Sequence, residues 1–263
     1  MKKSLKVIAL FCALSMTLFG FSACQKEESD PSSTTSGASS TESTAKEKLT
    51  VGTNSEFPPF EYQENGQVVG IDMDIMKAVA EKIGMELVIV DMDFNALPTA
   101  LSTGQIDCIA AGFSTDATRE ETMDFSDTYY KASQSILVPA DSAINTADDL
   151  KNKRLGAQSG TTGEETATDV PGAEAKGYRS PMLAVQDMMN GNLDAVIVDK
   201  NPAEVIKDQY GDEIKLITDQ FPEEEYAIAV NKGNSKLLDK INDALKTILS
   251  DGTFDEIVKK YVD

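Results

Sequence analysis

Residues 49–91 read LTVGTNSEFPPFEYQENGQVVGIDMDIMKAVAEKIGMELVIVD. Leu49 to Gly52 is a short apolar strand. Further on, Ile75, Met76, Val79, Ala80 and Ile83 recur at helical spacing and share one face. Asp72 or Asp74 can cap that helix, and Gly84 can end it in the left-handed conformation. Leu87 to Val90 is a second strand. A switch of period from 2 to 3.6 and back is the signature of an α/β unit.

The alternation continues. A helix is predicted over Asn95–Thr103, stopped by Gly104, and a strand over Ile106–Ala111. Ile136 to Val138 begins a strand leading into a second set. Its members are a short helix capped by Thr146, a strand over Arg154–Ala157, a helix from about Thr162, and a helix opened by Pro181 at its first position. A strand at Asp194–Val198, a helix opened by Pro202 and an edge strand at Ile214–Ile217 follow. Tyr226–Val230 reads as a return crossing, and Lys236–Leu249 and Phe254–Tyr261 as closing helices. Two αβ sets joined by two connecting strands predict two lobes around a cleft. The first lobe is expected over 49–135 and 229–263, the second over 140–225, with crossings at 136–139 and 226–228.

Upstream, Met1-Lys2-Lys3 and Lys6 precede an apolar run from Val7 to Phe21. That run is shorter than the roughly 20 residues needed to span a bilayer, so residues 1–23 read as an export signal. Ser22-Ala23-Cys24 resembles a bacterial lipobox, which makes Cys24 the expected lipidated residue; plain secretory cleavage near Ala23 is the other reading. Gln25 to Lys48 is rich in Ser and Thr with no aromatic or branched aliphatic residue, and is expected to be a disordered tether. The expected address is therefore the outer face of the cytoplasmic membrane, reached by a lipid anchor.

The chain has 24 basic and 44 acidic residues, a formal charge of −20, and no histidine. Such a charge excludes binding to nucleic acid or anionic lipid by electrostatics, and is compatible with a cationic small ligand. The absence of histidine excludes Ser-His-Asp triads and histidine metal sites. Of three cysteines, Cys12 lies in the signal and Cys24 at the lipidation position, so Cys108 is expected to be a lone buried thiol. No cofactor or metal is expected.

Four segments carry a family resemblance. They are Gly52 to Tyr62, Gly70 to Asp74, Phe125-Ser126-Asp127 with Tyr129-Tyr130, and Asn192 to Asp199. Together and in this order they resemble the polar amino-acid-binding proteins that feed ABC importers, solute-binding protein family 3, and the resemblance runs from Leu49 to the C-terminus. It implies a two-lobed, periplasmic-binding-protein-like α/β fold and a monomer. Its implied partners are an amino acid ligand and an ABC permease, whose ATPase subunit performs the chemistry.

A zwitterion held in a dry cleft needs paired donors for its carboxylate and a negative acceptor for its ammonium. Arg119, in Ala117-Thr118-Arg119-Glu120-Glu121, is the candidate carboxylate clamp because a guanidinium offers two parallel donors. Its alternative is a surface arginine paired with Glu120 or Glu121. Thr161 and Thr162 stand at capping-box spacing from Glu164 and Glu165, so a helix N-terminus there can offer Thr162 and its amide to the same anion, or be a plain cap. Asp199 ends an apolar strand and can be the next helix's cap; the resemblance makes it the ammonium acceptor. The resemblance further implies polar contacts from the Gly112 carbonyl and the Ser114 hydroxyl. It places Phe57 and Phe94 as aromatic walls around the ligand's stem, and Asn54 and Gln158 against its side chain. Phe60 and Phe125 are expected in the core. The chain departs from the family in having Asp116, not threonine, three residues before Arg119.

The function implied is capture of a polar L-amino acid, glutamine-like or cationic. Rival readings are a dehydratase-like enzyme on the same scaffold, acting on a small carboxylated substrate through a cleft glutamate, and a ligand-independent adhesin or signalling partner. The pairing of Arg119 with Asp199 argues for capture.

Overall fold

The computed structural model describes residues 46–262, so the signal, Cys24 and most of the expected tether lie outside the described residues. In the first lobe β1 (Lys48–Thr53) leads through β2 (Glu56–Phe57), β3 (Glu61–Glu64) and β4 (Gln67–Val69) into α1 (Ile71–Ile83) and β5 (Glu86–Asp91). Then come α2 (Leu97–Ser102), β6 (Cys108–Ile109), α3 (Ala117–Thr122) and β7 (Met123–Phe125). β8 (Tyr130–Pro139) crosses to the second lobe. That lobe holds β9 (Arg154–Gln158), α4 (Thr162–Asp169), β10 (Glu174–Tyr178), α5 (Pro181–Met189), β11 (Ala195–Asp199), α6 (Lys200–Tyr210) and β12 (Ile214–Ile217). β13 (Glu223–Tyr226) crosses back, and β14 (Ala229–Asn231), α7 (Ser235–Ser250) and α8 (Thr253–Tyr261) complete the first lobe.

The first-lobe sheet has the order β5-β1-β6-β14-β7, and the second β10-β9-β11-β8-β12. β1 runs parallel to β5 and β6, and β9 runs parallel to β10 and β11. Open α/β sheets place ligands beyond the carboxyl ends of their parallel strands. Here those ends are Asn54 after β1, Gly112 after β6, Gln158 in β9 and Asp199 in β11.

α1 forms where its sequence pattern places it and buries Ile71, Met73, Ile75, Met76, Val79 and Ala80 against the sheet and α7. Its N-terminus differs from expectation. Gly70 is the N-cap at φ 134°, where a Cβ would lie 2.1 Å from the Phe60 carbonyl oxygen, so glycine is required there. Neither Asp72 nor Asp74 caps: Asp74 lies in the first turn at the surface, and Asp72 turns inward, fully buried. The strand expected over Ile106–Ala111 shortens to β6, because Gly112 at φ 52° turns the chain out of the sheet. Pro202 lies inside α6, which starts two residues earlier at Lys200. Cys108 is free and fully buried, and burial pushes its thiol well up. Phe60 is fully buried; Phe125, only partly so, stacks on Phe113 at 6.0 Å between centroids.

Strand pairing moves the crossings. Tyr130 to Ser133 of β8 pair with Tyr226 to Glu223 of β13, and this two-stranded ribbon joins the lobes. Gln134 to Leu137 already pair with β11, and Ile136 to Pro139 with β12, inside the second sheet. The apolar run Ile136-Leu137-Val138 therefore marks a strand packed within a lobe, whereas the ribbon reads polar because it is solvated. Phe60 anchors the ribbon to the first lobe through edge contacts to Tyr130 and Tyr226, at 4.9 and 5.0 Å.

Candidate functional site

Phe57, Phe94, Gly112, Ser114, Arg119, Thr161, Thr162 and Asp199 line one small, largely enclosed hollow between the lobes. The remaining two candidates close it: the Gln158 amide donates to Asn54 Oδ1 across the cleft at 2.7 Å. Larger hollows, such as the one between Lys82 and Lys240 on α1 and α7, are open surface grooves. Convergent polar groups, not size, mark the site.

Arg119 is held by the element that carries it. Asp116 N-caps α3, accepting from the Thr118 and Arg119 amides at 2.8 and 2.9 Å, and its second oxygen lies 3.0 Å from Arg119 Nε. The departure from the family's threonine thus supplies both a cap and a counter-charge. The guanidinium lies over Phe113 at 4.2 Å and donates to the Ser114 carbonyl at 2.6 Å and, across the cleft, to the Gly160 carbonyl at 2.9 Å. Among the described residues it forms an ion pair with Asp116 and with neither Glu120 nor Glu121, and at 9% exposure it is not a surface arginine. Burial lowers its proton affinity, while Asp116, Glu165, Glu224 and Asp199 hold it up. It stays charged at any ordinary pH.

Thr161 is the N-cap of α4: its hydroxyl donates to the Gln158 carbonyl at 2.8 Å and accepts from the Glu164 amide at 3.3 Å. Thr162 follows at the first helical position, where backbone N–H groups lack helical partners. Phe57 and Phe94 are 5% and 6% exposed. A Cβ on Gly112 would lie 2.8 Å from the Phe57 ring, so only glycine lets this turn approach that wall.

Asp199 opens α6 without capping it, which removes the cap reading. Its Oδ1 accepts from the Tyr226 hydroxyl at 2.6 Å. Burial first, then neighbouring Glu224, push this carboxyl up to about 7, against the pull of Tyr226 and Gln134. A carboxylate so placed gains most from a fixed cation beside it.

Two groups escaped the sequence reading. Glu224 Oε2 accepts from Ser114 Oγ at 2.5 Å and from Thr162 Oγ1 at 2.7 Å, so an acid on the ribbon ties the two lobes' hydroxyls together. Gln134, just past the ribbon on β8 and paired with Asp199 of β11, donates to Thr162 Oγ1 at 3.2 Å. The signal for Glu224 was present: Glu223-Glu224-Glu225 precede Tyr226 on a crossing strand, and strand alternation turns Glu224 to Tyr226's face while both neighbours stay exposed. At the rim, Arg179 of the second lobe pairs with Glu56 and lies 3.7 Å from Asp93, both on the first lobe. Glu56 therefore faces neither bulk water alone nor the hollow, but a cross-cleft partner.

The model of the bacterial extracellular solute-binding proteins, family 3, matches residues 49–263. The chain is 32% identical over 269 residues to the arginine-binding extracellular protein ArtP of Bacillus subtilis, covering 99% of this chain and 98% of that one. Among solved structures, an ancestral arginine-binding protein bound to arginine is 39% identical, with TM-score 0.77, covering 82% of this chain and 98% of that one. The structure of an ancestral arginine-binding protein bound to glutamine, also 39% identical, has TM-score 0.76 over 82% and 97%. Two lobes with parallel strands ending at a shared hollow, and a family model that spans both, place this chain among the bacterial extracellular solute-binding proteins of family 3.

Proposed function

We propose that the chain captures a polar L-amino acid, glutamine-like or cationic, and delivers it to an ABC importer while anchored to the membrane through lipidated Cys24. The observation that carries this reading is that Arg119 of the first lobe and Asp199 of the second line the same enclosed hollow. A guanidinium suits the ligand's carboxylate, with the α4 N-terminus and Ser114 beside it. Asp199 suits the ammonium, and Phe57 and Phe94 bury the stem. Closure is a population shift, driven by contacts that exist only when both lobes meet the ligand. The ribbon of β8 and β13 is the proposed hinge, with lobe limits near Ser133 and Glu223. A thermal-shift screen against the twenty amino acids plus ornithine and cystine tests the reading. A ligand that binds only the native state must raise the melting temperature, and no shift from any of them would end it.

Charge balance favours a cationic ligand. Arg119 is the one cation at the hollow among the described residues, while Asp116, Asp199 and Glu224 stand near it. A ligand of net charge +1 offsets this excess, whereas glutamine does not. Both the arginine and the glutamine complexes of ancestral relatives keep the two classes in play. Glu224→Gln is expected to weaken a cationic amino acid about tenfold or more while leaving glutamine within a few-fold, measured by titration calorimetry. An equal loss for both would mean that Glu224 supports the lobes rather than reads the ligand's charge.

Closure draws on the rim as well. Arg179→Ala removes an exposed ion pair, worth at most about 1 kcal/mol. Affinity is expected to fall only a few-fold, with a smaller loss at high salt; a salt-independent hundredfold loss would place Arg179 inside the site.

A further inference from the structure

Glu61 and Asp72 are 0% and 1% exposed, beneath the cleft. The backbone forces them together: Gly70 lets α1 begin against β3, and the Asp72 amide donates to the Phe60 carbonyl at 3.0 Å. Among the described residues, neither Glu61 oxygen nor Asp72 Oδ1 has a hydrogen-bond partner. Asp72 Oδ2 alone has one, the Gly112 N–H at 2.7 Å. The groups facing the pair from neighbouring elements are the Tyr129 and Tyr226 hydroxyls and the acids Asp91 and Asp199, with no cation among them. Two ionised carboxylates cannot lie unpaired in such a place, and a proton between them relieves both the repulsion and the unmet acceptors.

We propose that Glu61 and Asp72 share one proton, with Glu61 as the acid and Asp72 as the carboxylate, and that this pair positions Gly112 at the edge of the hollow. The assignment follows the surroundings. Burial pushes Glu61 far up with nothing to oppose it, whereas Asp72, also raised by burial, is pulled back to about 6 by the Gly112 N–H and then by the Tyr129 hydroxyl and Glu61 itself. Asp72 thus keeps the charge that the Gly112 amide binds, and Glu61 donates to its other oxygen. Both residues are positioning residues; neither touches the hollow. The link to Gly112 rests on the proposed ligand-capture reading, but the shared proton does not.

The folded pair keeps a proton that the unfolded chain loses above about pH 4. Its contribution to stability is whole below that pH and is lost as pH rises through the folded value. Infrared difference spectroscopy of the whole exported domain in an Asp199→Asn background, which removes the other raised carboxyl, is expected to show a protonated carboxylic acid carbonyl band at pH 7. That band should vanish when Glu61→Gln is added and persist when Tyr129→Phe is added. Glu61→Gln keeps a donor to Asp72 at every pH, so its melting temperature should fall less between pH 6 and 9 than that of the wild type, by up to one bound proton. Asp199 contributes a slope of its own to both proteins, so the difference between them is the readout. Absence of the band in that background, or its survival when Glu61→Gln is added, overturns the proposal even if the variant folds poorly. For any amino acid found to bind, Glu61→Gln should keep affinity within about threefold at pH 7, whereas Asp72→Ala should lose it at least tenfold. If no amino acid binds at all, the capture reading fails while the band still decides the shared proton.

Discussion

Arg119→Ala is expected to raise the dissociation constant of the bound amino acid by roughly two to three orders of magnitude. The side chain is 9% exposed and stacked on Phe113, and Asp116 holds its α3 turn in place. Removing it leaves a ligand carboxylate in a dry hollow without its charge partner, which costs about 3–4 kcal/mol. Arg119→Lys should recover only part of this, because an ammonium lacks the planar fork. The same substitution also removes the bond to the Gly160 carbonyl, one of the few direct ties between the lobes. The variant should therefore populate a more open form in small-angle scattering, even at saturating ligand. Its cost to the fold itself should be small, since burial already disfavours the guanidinium and Asp116 still caps the helix. Titration calorimetry that returned wild-type affinity would show that the ligand's carboxylate lies elsewhere.

How much of this was legible in the sequence depended on whether a residue's partner lay nearby in the chain. The period of Ile75, Met76, Val79 and Ala80 located α1, and the apolar run Ala195 to Val198 located β11, because a buried face imposes its own spacing. Most of the ten cleft candidates came from the family resemblance rather than from local pattern, and the structure brings all ten to one place. The polar ribbon hid itself for the opposite reason: Lys131 to Ser133 and Glu223 to Glu225 have no continuous apolar face to betray a strand. Glu224 looked like one acid in a solvated run, and its role exists only because two hydroxyls, from residues 110 and 62 positions away, converge on it. Asp72 read as a helix cap because local rules favour aspartate there. Its actual partner, the Gly112 amide, lies 40 residues on, and no local pattern reports it.

Asp199→Asn is expected to act on binding and on stability with opposite signs. The asparagine keeps an oxygen to accept from Tyr226, so the local geometry survives. It loses the charge that the proposed pose sets against the ligand's ammonium, so affinity should fall by about 2–4 kcal/mol, roughly thirty- to a thousandfold. The closed form without ligand should become more stable, and the ligand-free protein with it in proportion to the share that is closed. In the closed form the carboxyl is raised to about 7 by burial and by Glu224. A raised acid is held most comfortably at low pH, and its folded form loses ground as pH climbs from about 4 through 7. At pH 8 the wild type therefore carries a penalty of up to a few kcal/mol that the variant lacks. The melting temperature of the ligand-free variant should exceed that of the wild type by several degrees at pH 8 and approach it near pH 5. A ligand ammonium relieves the same strain in the wild type, so adding ligand should close or reverse the gap. Thermal unfolding of both proteins, with and without ligand at the two pH values, separates the outcomes. A variant less stable than the wild type under every condition would mean that Asp199 is a structural acid satisfied by Tyr226 alone, and the electrostatic argument for an ammonium at this position would fail.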